Sequence, residues 1–365
     1  MQDNFMGKDG FQWFVGVVED RQDPQRVGRV RVRCLGYHTP DNVQLPTADL
    51  PWAHPMNPIT SATISGLGQT PLGPVEGTWV VGFFQDGGEA QNPIIMGTLP
   101  GVPGGLPTKG SDKGFQDFLN GNYPKYKDET DVNRLAVNDT NLPHPTLTLR
   151  KADRDIAVGV ANTDATTVVD DVVDADDGTF WNEPETPYAA QYPYNHVMET
   201  EGGHIKEYDD TVDNKRIHER HASGSGYEIF NDGTKVTRVK KDNYEIVSAD
   251  EYCHIQGIAR QTIDKGLRVK VNNLGQTSNN YTIEVGAGAN VSVEVQNGDI
   301  NLISQLGDVN LKAGKNMNID VAQALNIKVG GAITETSKSK TETADETHQM
   351  NANLQDINGN KIELN

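Results

Sequence analysis

The chain has 365 residues, a formal net charge of −19, 37 glycines and only 35 % hydrophobic residues. That gives room for two or three domains but too little apolar content for a large helical core. The acidic balance disfavours nucleic-acid binding by the protein as a whole, and no apolar run has the length of a bilayer span. The two cysteines, Cys34 and Cys253, lie far apart in sequence and imply no disulfide framework. The first ten residues, MQDNFMGKDG, lack the basic and apolar regions of a signal peptide, so synthesis in a cytoplasm is expected.

Taken in chain order, residues 1–100 read as a compact β domain. Phe11–Val18 is a first strand. Val27–Leu35 alternates strictly, with Val30, Val32 and Cys34 on one face and Arg29, Arg31 and Arg33 on the other. Thr78–Phe84 and Pro93–Leu99 are further strands, and turn-rich pieces at 20–28 and 86–88 separate them. Several short strands in so short a stretch predict a small closed barrel of the OB-fold kind. The arginine row is a candidate partner-facing strip, or else a solvated barrel face.

Residues 101–190 change character. A breaker cluster, Gly101-Val-Pro-Gly-Gly-Leu-Pro107, opens a stretch with no persistent period, and an acidic run, Asp170–Asp177, lies near its end. An extended linker is the reading here. Over 191–271 alternation returns: His204–Tyr208, Tyr227–Phe230, Lys235–Val239 and Asn243–Val247 are predicted strands joined by turns.

From 272 onward the pattern becomes periodic. Apolar pairs recur every eight or nine residues: Ile283 and Val285, Val291 and Val293, Ile300 and Leu302, Val309 and Leu311, Met317 and Ile319, Leu325 and Ile327, followed by a single Ile333. Residues two apart share one face of a strand, and the polar, Gly- and Asn-rich spacers are turn-like. Strand, turn and repeat at fixed spacing predict a β-solenoid. Each unit supplies only one apolar face, too little to enclose a core alone, so the other faces are expected from further copies of the chain. The prediction is a homotrimeric, intertwined triple-stranded β-helix over 272–365 with these thirteen residues in its core. Past Ile333 the chain turns polar and threonine-rich, and Leu354, Ile357, Ile362 and Leu364 could form a last apolar cap.

Each motif that could carry chemistry has a blander reading. Acidic pairs such as Glu199/Glu201 and Asp209/Asp210 have no fold context placing them across a cleft, as glycoside hydrolysis requires. Asp174-x-Asp176-Asp177-Gly178 places its glycine one position early for an EF-hand. His218-Glu-Arg-His221 with His204 lacks the ligands to complete a metal set. Gly66-Leu-Gly68 lacks the third glycine of a dinucleotide site. No catalytic, cofactor or metal residue is assigned. An ion on a threefold axis, with His348 as the candidate ligand, stays open.

Two blocks carry a family resemblance. Trp13-Phe-Val-Gly-Val-Val-Glu-Asp-Arg21, Asp23-Pro24 and Val27-Gly-Arg-Val-Arg-Val-Arg33 resemble the start of the central spike (cell-puncturing) proteins of contractile-tailed phage baseplates. So do Leu50-Pro-Trp52, Pro58–Ala62 and Gly73–Thr78. Tyr192-Pro-Tyr194, His196, Met198–Ile205, Glu207 and Asp209–Thr211 resemble the stretch leading into that family's triple-stranded β-helix, an architecture shared with the VgrG spike of type VI secretion. The resemblance implies an all-β protein with an OB-fold at the baseplate hub, and a trimeric needle that plugs the tail tube and pierces the host outer envelope on contraction. It further implies a hub protein at the barrel end, a PAAR-type tip protein at the distal end, transient contact with the host outer membrane, and residence on the tail axis of a virion after synthesis in the host cytoplasm.

The family's best-known members carry a lysozyme domain between barrel and needle. Here only 101–190 lies between, too short and without helical period, so a non-enzymatic protein is expected. The alternatives are a tailspike-like polysaccharide-degrading enzyme, which usually has longer coils and a substrate groove, and a receptor-binding fibre, which needs a distal tip domain.

Overall fold

The computed structural model describes residues 11–100, 131–138, 172–173, 180–181, 184, 186–263, 265–271, 280–345, 347, 349 and 351. The chain divides into two units, Met1–Val269 and Lys270–Asn365. Most of the 101–190 linker, including the acidic run, and the apolar cap at the C-terminus lie outside the described residues.

The first unit begins with a closed five-stranded barrel: β1 (Trp13–Asp20), β2 (Val30–Cys34), β3 (Trp52–Pro55), β4 (Trp79–Phe84) and β5 (Pro93–Leu99), ordered β1-β2-β3-β5-β4. All pairings are antiparallel except β3 with β5. This is the Greek-key closure of an OB-fold. The alternation in β2 sends Val30, Val32 and Cys34 inward, where they meet Phe14, Val18, Ala53, Val80, Phe84 and Ile95 in one buried cluster. Strand β3 had no sequence signal of its own, because only Ala53 of its four residues is buried.

Closure depends on a close approach at Gly82. A Cβ there would lie 2.0 Å from the Ile94 carbonyl oxygen and 2.6 Å from Cζ of Phe14. Gly82→Ala is therefore expected to lower barrel stability by about 1–3 kcal/mol, the usual penalty of overpacking. An unchanged thermal unfolding transition for the barrel would refute that reading.

A short helix, α1 (Arg134–Val137), is capped by Asn133, whose side chain accepts from the Leu135 N–H at 2.9 Å. A two-residue pairing joins β6 (Val172–Val173) to β7 (Phe180–Trp181). Five strands then form an antiparallel meander: β8 (Asn195–Glu199), β9 (Ile205–Asp209), β10 (Arg216–Arg220), β11 (Gly226–Ile229) and β12 (Lys235–Arg238). The predicted strands at 204–208, 227–230 and 235–239 correspond to β9, β11 and β12. The fourth, Asn243–Val247, pairs with no strand among the described residues, so the ladder ends at β12.

From residue 239 onward no strand pairing forms within the chain among the described residues. Stretches without a ladder are instead separated by bends or turns at 240–241, 248–249, 256–257 and 265, and in the second unit at 287–288, 296–298, 305–307, 314–315, 322–323, 330–331, 338 and 345. The eight-to-nine-residue period thus exists in the backbone as well as in the sequence, and it starts upstream of the first apolar pair.

Candidate functional site

The bends fix the phase of the repeat. After the bends at 296–298, 305–307, 314–315 and 322–323 comes one Asp, Asn or Ala and then an apolar residue, with a second apolar residue two positions later. Val291, Ile300, Val309, Met317 and Leu325 form the first column. Val293, Leu302, Leu311, Ile319 and Ile327 form the second. A third column follows two residues on, at Val295, Ala313, Val321 and Val329, just before the next bend. Sequence reasoning missed this column because composition does not locate the bends. The first pair is offset by one step: Val285 belongs to the third column, and Tyr281 stands in the first.

Burial within one chain differs from what a core requires. None of the thirteen expected core residues is buried there: Ile283, Val285, Val291, Val293, Ile300, Leu302, Val309, Leu311, Met317, Ile319, Leu325, Ile327 and Ile333 are all exposed. The second column stands out furthest, with Val293 at 71 %, Leu302 at 73 %, Ile319 at 67 % and Ile327 at 69 % exposed. Third-column Val321 and Val329 are at 44 % and 48 %. One segment per repeat has no opposite face of its own, so exposure of Val293, Ile319 and the rest in one chain is compatible with the expected core between three chains and leaves that expectation open.

A single chain thus presents rows of apolar side chains on segments whose backbone edges find no strand partner among the described residues. Apolar rows of this extent on soluble proteins mark surfaces that other protein covers, and unpaired edges accept further strands.

Elsewhere the polar side chains are used internally. The arginine row of β2 is committed to its own barrel. Arg29 forks onto Asp23, at 2.7 Å from Nη2 and 3.2 Å from Nε. Arg31 lies 4.4 Å over the Trp52 ring, donates to the carbonyls of Thr47, Ala48 and Leu50, and faces Asp20 at 3.6 Å. Arg33, itself buried, pairs with Glu19 at 2.5 and 3.0 Å and donates to the Thr39 and Leu45 carbonyls. These guanidinium groups tie loops to the barrel wall, which leaves open whether the row also faces a partner.

Asp23 is the anchor of the β1–β2 turn. The Arg29 guanidinium, helped by the N–H groups of Val27, Gln25 and Arg29, holds its carboxyl well below the usual range despite the opposing effect of burial. A carboxyl depressed in the folded state contributes stability that is full above its unfolded value of about 3.9 and is lost as pH falls through the folded value. The barrel is expected to weaken progressively below about pH 4, and Asp23→Asn to remove part of that acid dependence. Identical acid-unfolding curves for the two proteins would exclude the assignment.

The inner face of the β8–β12 sheet carries charge where a core would ordinarily be apolar. Glu207 is fully buried, accepting from Asn195 at 3.1 Å and from Arg216 at 2.8 Å. Its other oxygen lies 2.6 Å from His218 Nδ1. Arg216 also reaches Glu228 at 2.8 Å and sits over the Tyr188 ring, and Tyr188 donates to the Leu135 carbonyl of α1 at 2.7 Å. The network ties α1 and residues 186–190 to the sheet.

His218 and His221 are therefore parted, the first into this network and the second into a turn, where its ring packs on His204 at 4.5 Å. Among the described residues, no group of three or more His, Cys, Asp or Glu is placed to hold a metal ion. His348 and the 174–178 motif lie outside the described residues.

Comparison with known proteins places this geometry. Residues 37–176 match the family described as the Gp5 N-terminal OB domain. The chain is 39 % identical over 288 residues to protein Gp5 of Vibrio phage KVP40, a match covering 71 % of this chain and 65 % of that protein. The chain is similar in sequence to the phage Gp5 proteins. A second match, 44 % identical over 142 residues, is to the pre-baseplate central spike protein Gp5 of Enterobacteria phage T4, covering 38 % of this chain and 22 % of the T4 protein. The matched region thus spans just under two thirds of the Vibrio relative and about a fifth of the T4 one. The chain resembles these baseplate spike proteins in sequence and carries their N-terminal barrel as an OB-fold.

Proposed function

We propose that the chain is a structural subunit of a contractile-tail baseplate, and that three copies wind together from about residue 240 into a central spike. The observation that carries this reading is the coincidence of bends and apolar columns on segments that find no partner within their own chain. In a threefold intertwined helix each segment lies between strands of other chains, which pairs both edges and turns the apolar columns to the axis. Burying each such side chain contributes about 1.5–3 kcal/mol. The residues Ile283 to Ile333, with Val293 and Ile319 among them, are then the trimer core. The resulting shaft leaves no free edge for aggregation.

A shaft of stacked strands at a spacing of about 4.8 Å is narrow and stiff enough to transmit a contraction stroke. In this reading it plugs the tail tube and then pierces the host outer envelope, touching the outer membrane transiently. The barrel end meets a baseplate hub protein, and a PAAR-type protein covers the threonine-rich distal end. The protein acts on the central axis of the virion tail and catalyses nothing, so wall digestion falls to another subunit.

The deciding experiment is the mass of the purified protein under native and denaturing conditions. A native mass three times that of the chain is expected; a monomer or a dimer would overturn the reading. Peptidoglycan or capsule turnover by the purified protein would defeat its non-enzymatic part.

A further inference from the structure

From Leu50 to Val75 the chain carries no Asp, Glu, Lys or Arg, although charged residues make up 23 % of the whole. Most of this stretch is the long loop between β3 and β4. The loop is braced on itself: Ser61 Oγ accepts from the Gln69 N–H at 2.8 Å, and the Thr63 N–H donates to the Leu67 carbonyl at 3.1 Å. It is also seated on the β1–β2 turn, since a Cβ at Gly28, where φ is +82°, would meet the Pro71 carbonyl oxygen at 2.6 Å. From this fixed frame Ile59, Ile64, Leu67 and Leu72 stand out into solvent, Ile59 completely. A rigid, charge-free surface with aliphatic tips has the composition of an interface core, and its order limits the entropy lost on docking.

We propose that this loop is where the barrel of one copy packs against a second copy of this chain. The inference rests on the three-chain reading given above. Tethering three chains through one shaft holds their barrels at high effective concentration, while each copy brings a charge of −19. Like-charged surfaces repel, so contact between copies is cheapest where neither side presents charge. Within the barrel the uncharged loop meets that condition, whereas the arginines of β2 are already held by acids of their own chain.

The test places a benzophenone side chain at Ile59 or Ile64 of the full-length protein, with Val43, exposed in another loop, as the comparison site. Samples are irradiated as purified protein and in assembled particles, and native mass is recorded beside denaturing gels. Chain-to-chain adducts of twice the chain mass from Ile59 and Ile64, and few from Val43, are expected. A native trimer that yields no such adduct overturns this inference and leaves the three-chain reading standing. Adducts formed only with a protein of different mass in particles assign the loop to another partner and overturn it as well. A monomeric native mass removes the three-chain reading and this inference together.

Discussion

Leu302→Asp is expected to abolish the native trimer or to lower its melting temperature by tens of degrees. Leu302 stands in the second apolar column of the repeat, between Val293 in the preceding segment and Leu311 in the next. In the threefold arrangement one substitution places three carboxylates close together near a dry axis. An isolated charge there loses its hydration, and three like charges repel one another in a low dielectric. The stability lost per chain includes the buried leucine, about 2–5 kcal/mol by comparison with core truncations, and the desolvation comes on top of it. Asn301→Asp, one residue away on the alternate face, carries the same charge change and is the control, expected to leave the trimer intact. Native mass and thermal melting read both variants. Equal behaviour of the two, or an unchanged melt for Leu302→Asp, would show that the column does not face the axis.

Glu207→Ala is the second large effect, and it requires no assumption about assembly. The carboxylate is fully buried and is held by Asn195, Arg216 and His218. Its removal leaves Arg216, whose side chain is itself wholly buried, with Glu228 as the remaining acid in its ion pairs. Breaking one side of a buried pair costs about 3–5 kcal/mol, because the surviving charge stays out of water. Hydrogen exchange in β8, β9 and β10 is therefore expected to accelerate by about a hundredfold or more, in line with that free energy. A loss of order in α1 and residues 186–190, which reach the network through Tyr188 and the Leu135 carbonyl, should accompany it.

The contrast is Glu201→Ala. Glu201 accepts a two-pronged contact from Arg21 at 2.7 and 3.0 Å, but about half of its side chain is in solvent, and Arg21 keeps its ion pair with Glu76 at 3.3 Å when Glu201 is removed. An exposed pair of that kind contributes roughly 0–1 kcal/mol, so exchange rates should change little. If Glu207→Ala behaved like Glu201→Ala, the buried network would not be what holds this sheet to α1.

Strands β1, β2, β4 and β5 were legible in the sequence because each puts alternating apolar residues into one small core, and period-two patterning is the strongest strand signal. Strand β3 was not legible, since Pro51, His54 and Pro55 obscure it and its place is set by the strands on either side. The inner face of the β8–β12 sheet was opaque for a related reason. Nothing local in the sequence marks Glu207, Arg216, His218 and Glu228 as one group, and only cross-strand register brings them together out of water. The arginine row was opaque in the same way: its alternation was legible, but its intrachain partners Asp23 and Glu19 come from the turn before β2 and from strand β1.

The repeat divides differently. Its period, its apolar pairs and the incompleteness of one eight-residue face followed from the sequence alone, because side-chain alternation and turn composition are local properties. The phase did not. The position of the bends, the third column at Val295, Ala313, Val321 and Val329, and the start of the period near Lys240 became visible only in three dimensions. A bend is a backbone event that glycine, asparagine and serine all permit, so composition narrows where it falls without fixing it. The partners of charged groups likewise depend on contacts between residues distant in sequence. Local chemistry thus determined that this chain is a barrel followed by a repeat that cannot close on itself. Tertiary structure decided which of its charges are spent inside, and which apolar side chains, Val293 and Ile319 among them, one chain leaves uncovered.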